Sequence, residues 1–424
     1  MSQIDSSTGD SVQLGRQISL LPLVVLIFFS CSGGAYSLEA LIPVAGPGMA
    51  ILLLMVMPLV YGIPIAAIAT ELSTAMPAEG GTYVWAKRGI GKFAAFQAGL
   101  LRWLEGWVGI AVLPVLFANY LSQLFAPAAA GHTVFFTVGP FTVDLHWIVG
   151  VVCVIVPTAV LNIRGSRSVG DSALLFAVFA LGPLAILTAF GFTRIFTDHV
   201  NPVATFVPNG SSVALAIAAG LPLVMWSYSG LDRVGLIAGE IKSPTRAIPK
   251  AMFIAVIVII ASYVLPLTAS LSVGGWQTWE AGSFGMIGAE LGGPWLVVVV
   301  TVGGMFAAIG LYSSLLMGYS RSIFVLADDG WVPAVLGKRS RRYGTPVVSI
   351  VVSSAIYAIF SMFSFEDLVV VDVFVVNLLL VINLVALIAL RVKEPNMARP
   401  AKIPGGWRGV SAVGVPMTVV IVYA

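Results

Sequence analysis

Apolar positions in this chain come in long blocks rather than in alternation. Blocks near 19–45, 49–77, 93–126, 146–163, 168–193, 213–241, 250–273, 294–327, 345–363 and 367–391 are separated by shorter segments rich in charged residues, Gly and Pro. An incomplete eleventh block begins near 410. About 20 apolar residues of helix cross a bilayer core, so each of the ten blocks reads as a membrane span. Continuous rather than alternating blocks point to helices and not to a barrel. The pattern predicts an all-α, polytopic membrane protein.

Composition agrees with the pattern. The 424 residues are 58% hydrophobic and 10% charged, with a mean hydropathy of +1.00. A soluble domain of this size carries about a quarter charged residues. The basic residues add an orientation. Arg16 precedes the first span, Lys87 and Arg88 follow the second, and Arg164 and Arg167 follow the fourth. The same holds after spans six, eight and ten, whereas the alternate loops are nearly free of Lys and Arg, with Arg194 the exception. Positive charge marks the cytoplasmic side, so the N-terminus is expected in the cytoplasm and the protein in the cell membrane. The net charge of +3 reflects this asymmetry and gives no reason to expect nucleic acid.

Two spans break their own pattern. Span one contains Ser32, Gly33 and Gly34 inside an apolar run, followed by Glu39. Span six contains the polar cluster Ser227, Tyr228, Ser229 and Gly230, with Asp232 just beyond. Five spans separate them, and an odd number of spans per half forces the second half to cross the bilayer in the opposite sense. Matched, Gly-interrupted segments are the sequence mark of an inverted-repeat transporter. An unwound backbone in hydrocarbon costs several kcal/mol per unpaired group, so a break persists where it lines a cavity. Half-helix N-termini there suit a carboxylate and freed carbonyls suit a cation. A lone Gly pair more often serves close helix packing. Two matched breaks, each followed by an acid, favour a binding site.

Longer stretches carry a resemblance. "ATELSTAMPAEGGTYVWAKRGIGKFAAFQAGLLRWL" and "GLIAGEIKSPTRAIPKAM" are similar to the second-to-third-span and sixth-span signatures of the amino acid–polyamine–organocation transporters. "ADDGWVPAVLGKRSRRYGTP", "FSFEDLV" and "RPAKIPGG" resemble the polyamine–proton symporter branch of plants and kinetoplastids, as does the first-span pattern of Ser32, Gly33, Gly34, Glu39 and Ala45-Gly46-Pro47. The resemblance covers the chain after residue 18. It implies the LeuT-type five-plus-five inverted-repeat bundle, with alternating access around broken spans one and six. It implies backbone contacts from Gly33 and Gly34 to substrate, and a place for Trp226 against the substrate's aliphatic stem. Packing explains Trp226 equally well. Two departures stand out. A lysine common in the fifth span of proton-coupled members is missing from "AVFALGP", Ala177 to Pro183. A third-span Asp-Asn pair of the polyamine branch is replaced by Gly109-Ile110.

The domain organisation expected is a disordered cytoplasmic tail (1–17), a first repeat (18–193), an extracellular connection (194–212), a second, inverted repeat (213–391), and a cytoplasmic loop with an incomplete eleventh span (392–424). The resembled family has twelve spans, so more chain is expected after Ala424. The function expected is secondary active uptake of amino acids or polyamines, driven by an ion gradient, with protons favoured over sodium. The alternative is an exchanger, or a channel or nutrient sensor on the same scaffold.

Glu39 is read as a counter-charge for a substrate amine, ahead of a proton carrier or an interfacial acid. Asp232 is the second candidate at the substrate and in coupling. Glu71 and Glu240, at the cytoplasmic ends of spans two and six, are gate candidates through loop arginines. Arg102 and Glu105 stand three apart and are expected to neutralise each other. Cys31 and Cys153 are expected as buried small hydrophobes. His132, His146 and His199 lack metal-ligand spacing, and Gly80-Gly81 and Gly274-Gly275 read as turns, so no metal and no cofactor are expected. No nucleophile, base or metal constellation shares one depth, which argues against an enzyme.

Overall fold

The computed structural model describes residues 15–125, 134–138, 141–363 and 365–423. Most of the expected disordered tail and His132 lie outside the described residues. Among them, nine helices are long and apolar enough to cross a membrane. Two shorter apolar helices, Leu20–Cys31 and Val347–Phe360, form the first half of span one and span nine.

Leu20–Cys31 runs from the face holding Gly15 to Ser19, called the near face below, toward the far face. Span two (Pro47–Ala75) returns, span three (Lys92–Gly109 and Val112–Phe125) goes out, and spans four (Leu145–Arg164) and five (Ser166–Thr197) complete the first half. Span six starts at the far face with Val213–Tyr228 and returns through Leu231–Glu240. Spans seven (Pro244–Ser270), eight (Pro294–Asp328), nine and ten (Phe365–Lys393) follow, and an eleventh helix spans Gly406–Tyr423. Spans one to five and six to ten thus cross in opposite senses.

Local chemistry sets the corners. Gly46 ends span one with φ +82°, and Pro47 opens span two at a position that needs no N–H. A Cβ on Gly46 would lie 2.7 Å from the Val207 backbone, so a far-side loop can close over this corner. Pro58 opens a π-turn, Pro58–Gly62, that bends span two.

Span eight is the central post, touching spans one, three, five and nine. Small residues let it approach them: a Cβ on Gly310 would lie 2.5 Å from the Phe29 ring, and one on Gly304 2.6 Å from Tyr120. Close backbone approach through Gly is how membrane helices pack without a hydrophobic drive between them.

The span pattern misses smaller features. An antiparallel hairpin, β1 (Val134–Val138) with β2 (Phe141–Asp144), stands on the far face before span four. Short helices occupy the near loop after span two (Thr82–Gly89) and the far loop before span eight (Phe284–Gly292). Cys153 corrects its expectation: it is exposed on the outside of span four, and only Cys31 is buried.

Candidate functional site

The first helix of span one ends at Cys31, and the chain from Ser32 to Ser37 is not helical before a 3-10 turn at Leu38–Ala40 and a short helix, Leu41–Ala45. Gly34 takes φ +87° and donates its N–H to Ser32 Oγ at 2.9 Å, so the side chain before the break replaces a helical acceptor. The added Cβ of any other residue at Gly34 would meet Leu184 Cδ1 at 2.6 Å. Span six breaks in a like manner: Ser229 is extended, Gly230 is left-handed at φ +98°, and a 3-10 helix follows. At Gly230 a Cβ would overlap the Arg233 guanidinium and the Ser30 carbonyl.

The two breaks touch. Cys31 Sγ donates to the Ser227 carbonyl at 3.4 Å, Tyr263 OH to the same carbonyl at 2.7 Å, and Arg233 to the Ser30 carbonyl. Carbonyls released by unwinding are therefore met by side chains rather than left in hydrocarbon.

Between the breaks lies a cavity walled by spans one, three, six, seven, eight and ten. Of the residues singled out in the sequence, Ser32, Gly33, Gly34, Trp226, Ser227 and Ser229 line it. Tyr228, Gly230, Glu39 and Asp232 do not. Tyr228 points to span two, donating to the Leu54 carbonyl at 2.7 Å.

Asp232 instead belongs to a buried charge cluster. It is paired with Arg102 and accepts from Asn383 Nδ2 at 2.9 Å. Arg102 reaches Glu105 at 2.7 Å as the spacing suggests, and Glu105 also takes Arg233 at 2.6 Å. Arg233 is a cavity residue that sequence reading passed over. So is Asp372 of span ten, which is 1% exposed, lines the cavity and is hydrogen-bonded by the Trp226 side chain. Asp372 does carry a signal, an acid inside the apolar run "LVVVDVFVV".

Glu39 does not line the cavity. It is fully buried, and its Oε1 accepts the backbone N–H groups of Gly282 (3.3 Å) and Phe284 (3.1 Å), tying span one to the far-side loop. Glu71 holds Arg391 at 2.5 Å, Arg399 at 3.4 Å and the Ile403 N–H at 2.7 Å, joining span two to the end of span ten and the segment beyond. Glu240 pairs with Arg321 of span eight at 2.9 Å. Both acids thus have arginine partners at the near face. Outside the membrane region, Arg88 grips Glu394 at 2.6 Å and holds its carboxyl below the usual carboxylate range.

Comparison with known proteins shows which family the chain belongs to. The family model described as amino acid permease matches residues 18–424. The chain belongs to the amino acid permease family. Polyamine transporter PUT1 of Oryza sativa subsp. japonica is 32% identical over 416 residues, 97% of this chain and 74% of that protein. A probable polyamine transporter of Arabidopsis thaliana is 30% identical over 421 residues, 99% of this chain and 81% of that protein. The crystal structure of MhsT in complex with L-phenylalanine superposes with a TM-score of 0.69 at 14% identity, covering 97% of this chain and 99% of that one. That likeness fixes the fold as LeuT-type. This permease is accordingly an integral membrane protein and a secondary transporter, not an enzyme.

Proposed function

We propose that this permease takes up amino acids or polyamines by proton-coupled symport, with alternating access around spans one and six. The observation that carries the reading is the direct contact of the two helix breaks across one buried cavity, through Cys31, Ser227, Arg233 and Ser30. Backbone groups at such breaks recognise substrate, and the halves on either side, 18–193 and 213–391, can rock about them. The names of the relatives support a polyamine, and the ligand of MhsT supports an amino acid, as the cargo class. Lys and Arg gathered on near-face loops support a cytoplasmic near face and insertion in the cell membrane.

For coupling, the supporting geometry is Glu39: fully buried, one oxygen on two backbone N–H groups, the other without a hydrogen-bond partner among the described residues. Among the described residues no Lys, Arg or His forms an ion pair with it, which leaves room for a proton as its counter-charge. The fifth-span stretch 177–183, where the resembled proton-coupled members hold a lysine, is apolar, and its Leu181 and the adjoining Leu184 pack toward Gly34.

Purified protein in liposomes, given radiolabelled putrescine, spermidine and amino acids, tests this reading. Accumulation above equilibrium under an inward pH gradient, lost with a protonophore, is expected. Equilibration without accumulation would replace the symporter with a channel or exchanger.

A further inference from the structure

The charge cluster beside the cavity does not balance. Arg102 and Arg233 face three acidic side chains, Glu105, Asp232 and Asp372, so the cluster has one more acid than base. Glu105 lies between both arginines, and Asp232 is held by Arg102 and Asn383. Asp372 is the one left over. It has no ion pair within contact distance among the described residues, its Oδ1 has no hydrogen-bond partner, and it lines the cavity.

Gly109 explains why this carboxylate can sit there. A Cβ at Gly109 would lie 2.5 Å from Asp372 Oδ1, so the side chain missing from span three is the space the span-ten carboxylate fills. Trp226, which hydrogen-bonds Asp372, lines the same cavity. A buried carboxylate without a counter-ion is costly; a proton or a cation relieves it, and because Asp372 lines the cavity a cation can reach it from there.

We propose that Asp372 is the docking point for a substrate ammonium group, with Gly109 making its place. The cargo is then an organic amine carrying a positive charge beyond any carboxylate it has: a polyamine or a cationic amino acid. This rests on the transport reading and narrows it.

The test is ligand protection of the purified protein against heat, using putrescine and its uncharged isostere 1,4-butanediol. Wild type is expected to be protected by putrescine alone. Asp372→Asn is expected to weaken putrescine binding by about a hundredfold or more. Gly109→Ala, which keeps the charge but displaces it, is expected to weaken binding while still eluting as a folded protein. Equal protection by the diol, or unchanged putrescine affinity in folded Asp372→Asn, would overturn the proposal. The companion uptake assay separates the two readings. Liposomes that take up neutral amino acids but no amine keep the transporter and refute the amine site. Liposomes that take up nothing refute the transporter, and the protection assay still decides Asp372.

Discussion

Glu39 and Asp372 are both buried acids, and their different surroundings are what the two proposed tasks rest on. Two backbone N–H groups fix one oxygen of Glu39 beneath the far-side loop, away from the cavity. Asp372 faces the cavity beside Gly109 and Trp226. In the sequence both are acids in apolar runs, and Glu39 looks the better partner for an amine because it follows the Gly pair so closely. Helix rotation decides otherwise, and no composition records rotation. Glu39→Gln keeps the acceptor oxygen for Gly282 and Phe284 but removes the ability to carry a proton. The expected result is loss of pH-driven accumulation for every substrate, with counterflow exchange retained. Accumulation that survives in the variant would free Glu39 of any coupling role.

At the scale of the element, the breaks rest on backbone conformations that only certain residues adopt. Gly34 at φ +87° and Gly230 at φ +98° occupy the left-handed region, and each is packed so closely that a side chain has no space. Gly34→Leu would place its branch where Leu184 now lies and push the break into the cavity. Substrate uptake is expected to vanish while the protein still reaches the membrane, measured as transport against surface expression. Normal uptake would show that the break does not cradle substrate. These breaks were legible in the sequence because Gly and Ser clusters interrupt otherwise continuous apolar runs. The spans were legible for the same reason, and the structure keeps nearly all their limits. Pairings were not: Arg102 with Asp232 and Arg233 with Glu105 join spans three and six, and only the packed fold brings them together. The hairpin 134–144 escaped because its strands are shorter than any span and lie between apolar neighbours.

For the whole molecule, the proposed alternating access requires that one face open while the other stays shut, and the near face offers a candidate latch. Residues before span one lie along the end of span six: Gln17 and Ile18 donate to the Glu240 carbonyl, and Lys242 donates back to Ile18. The Glu240 side chain meanwhile pairs with Arg321 at 2.9 Å, both groups buried. One residue therefore joins the N-terminal strap, span six and span eight. If these contacts hold the near face shut, removing one charge of the buried pair costs the shut state about 3–5 kcal/mol. Glu240→Gln retains the backbone strap and the side-chain shape but not the ion pair, so it should shift the population toward the near-open state without unfolding the bundle. A cysteine placed at Ser229, on the cavity wall, reports that shift, with Cys31 and Cys153 first replaced by Ala. Membrane-impermeant maleimide applied from the near face is expected to label Ser229→Cys several-fold faster when Glu240→Gln is present, and saturating substrate is expected to change that rate. Labelling at an unchanged rate would mean that the barrier on this side lies elsewhere, with the Glu71 and Arg391 pair the next contact to remove.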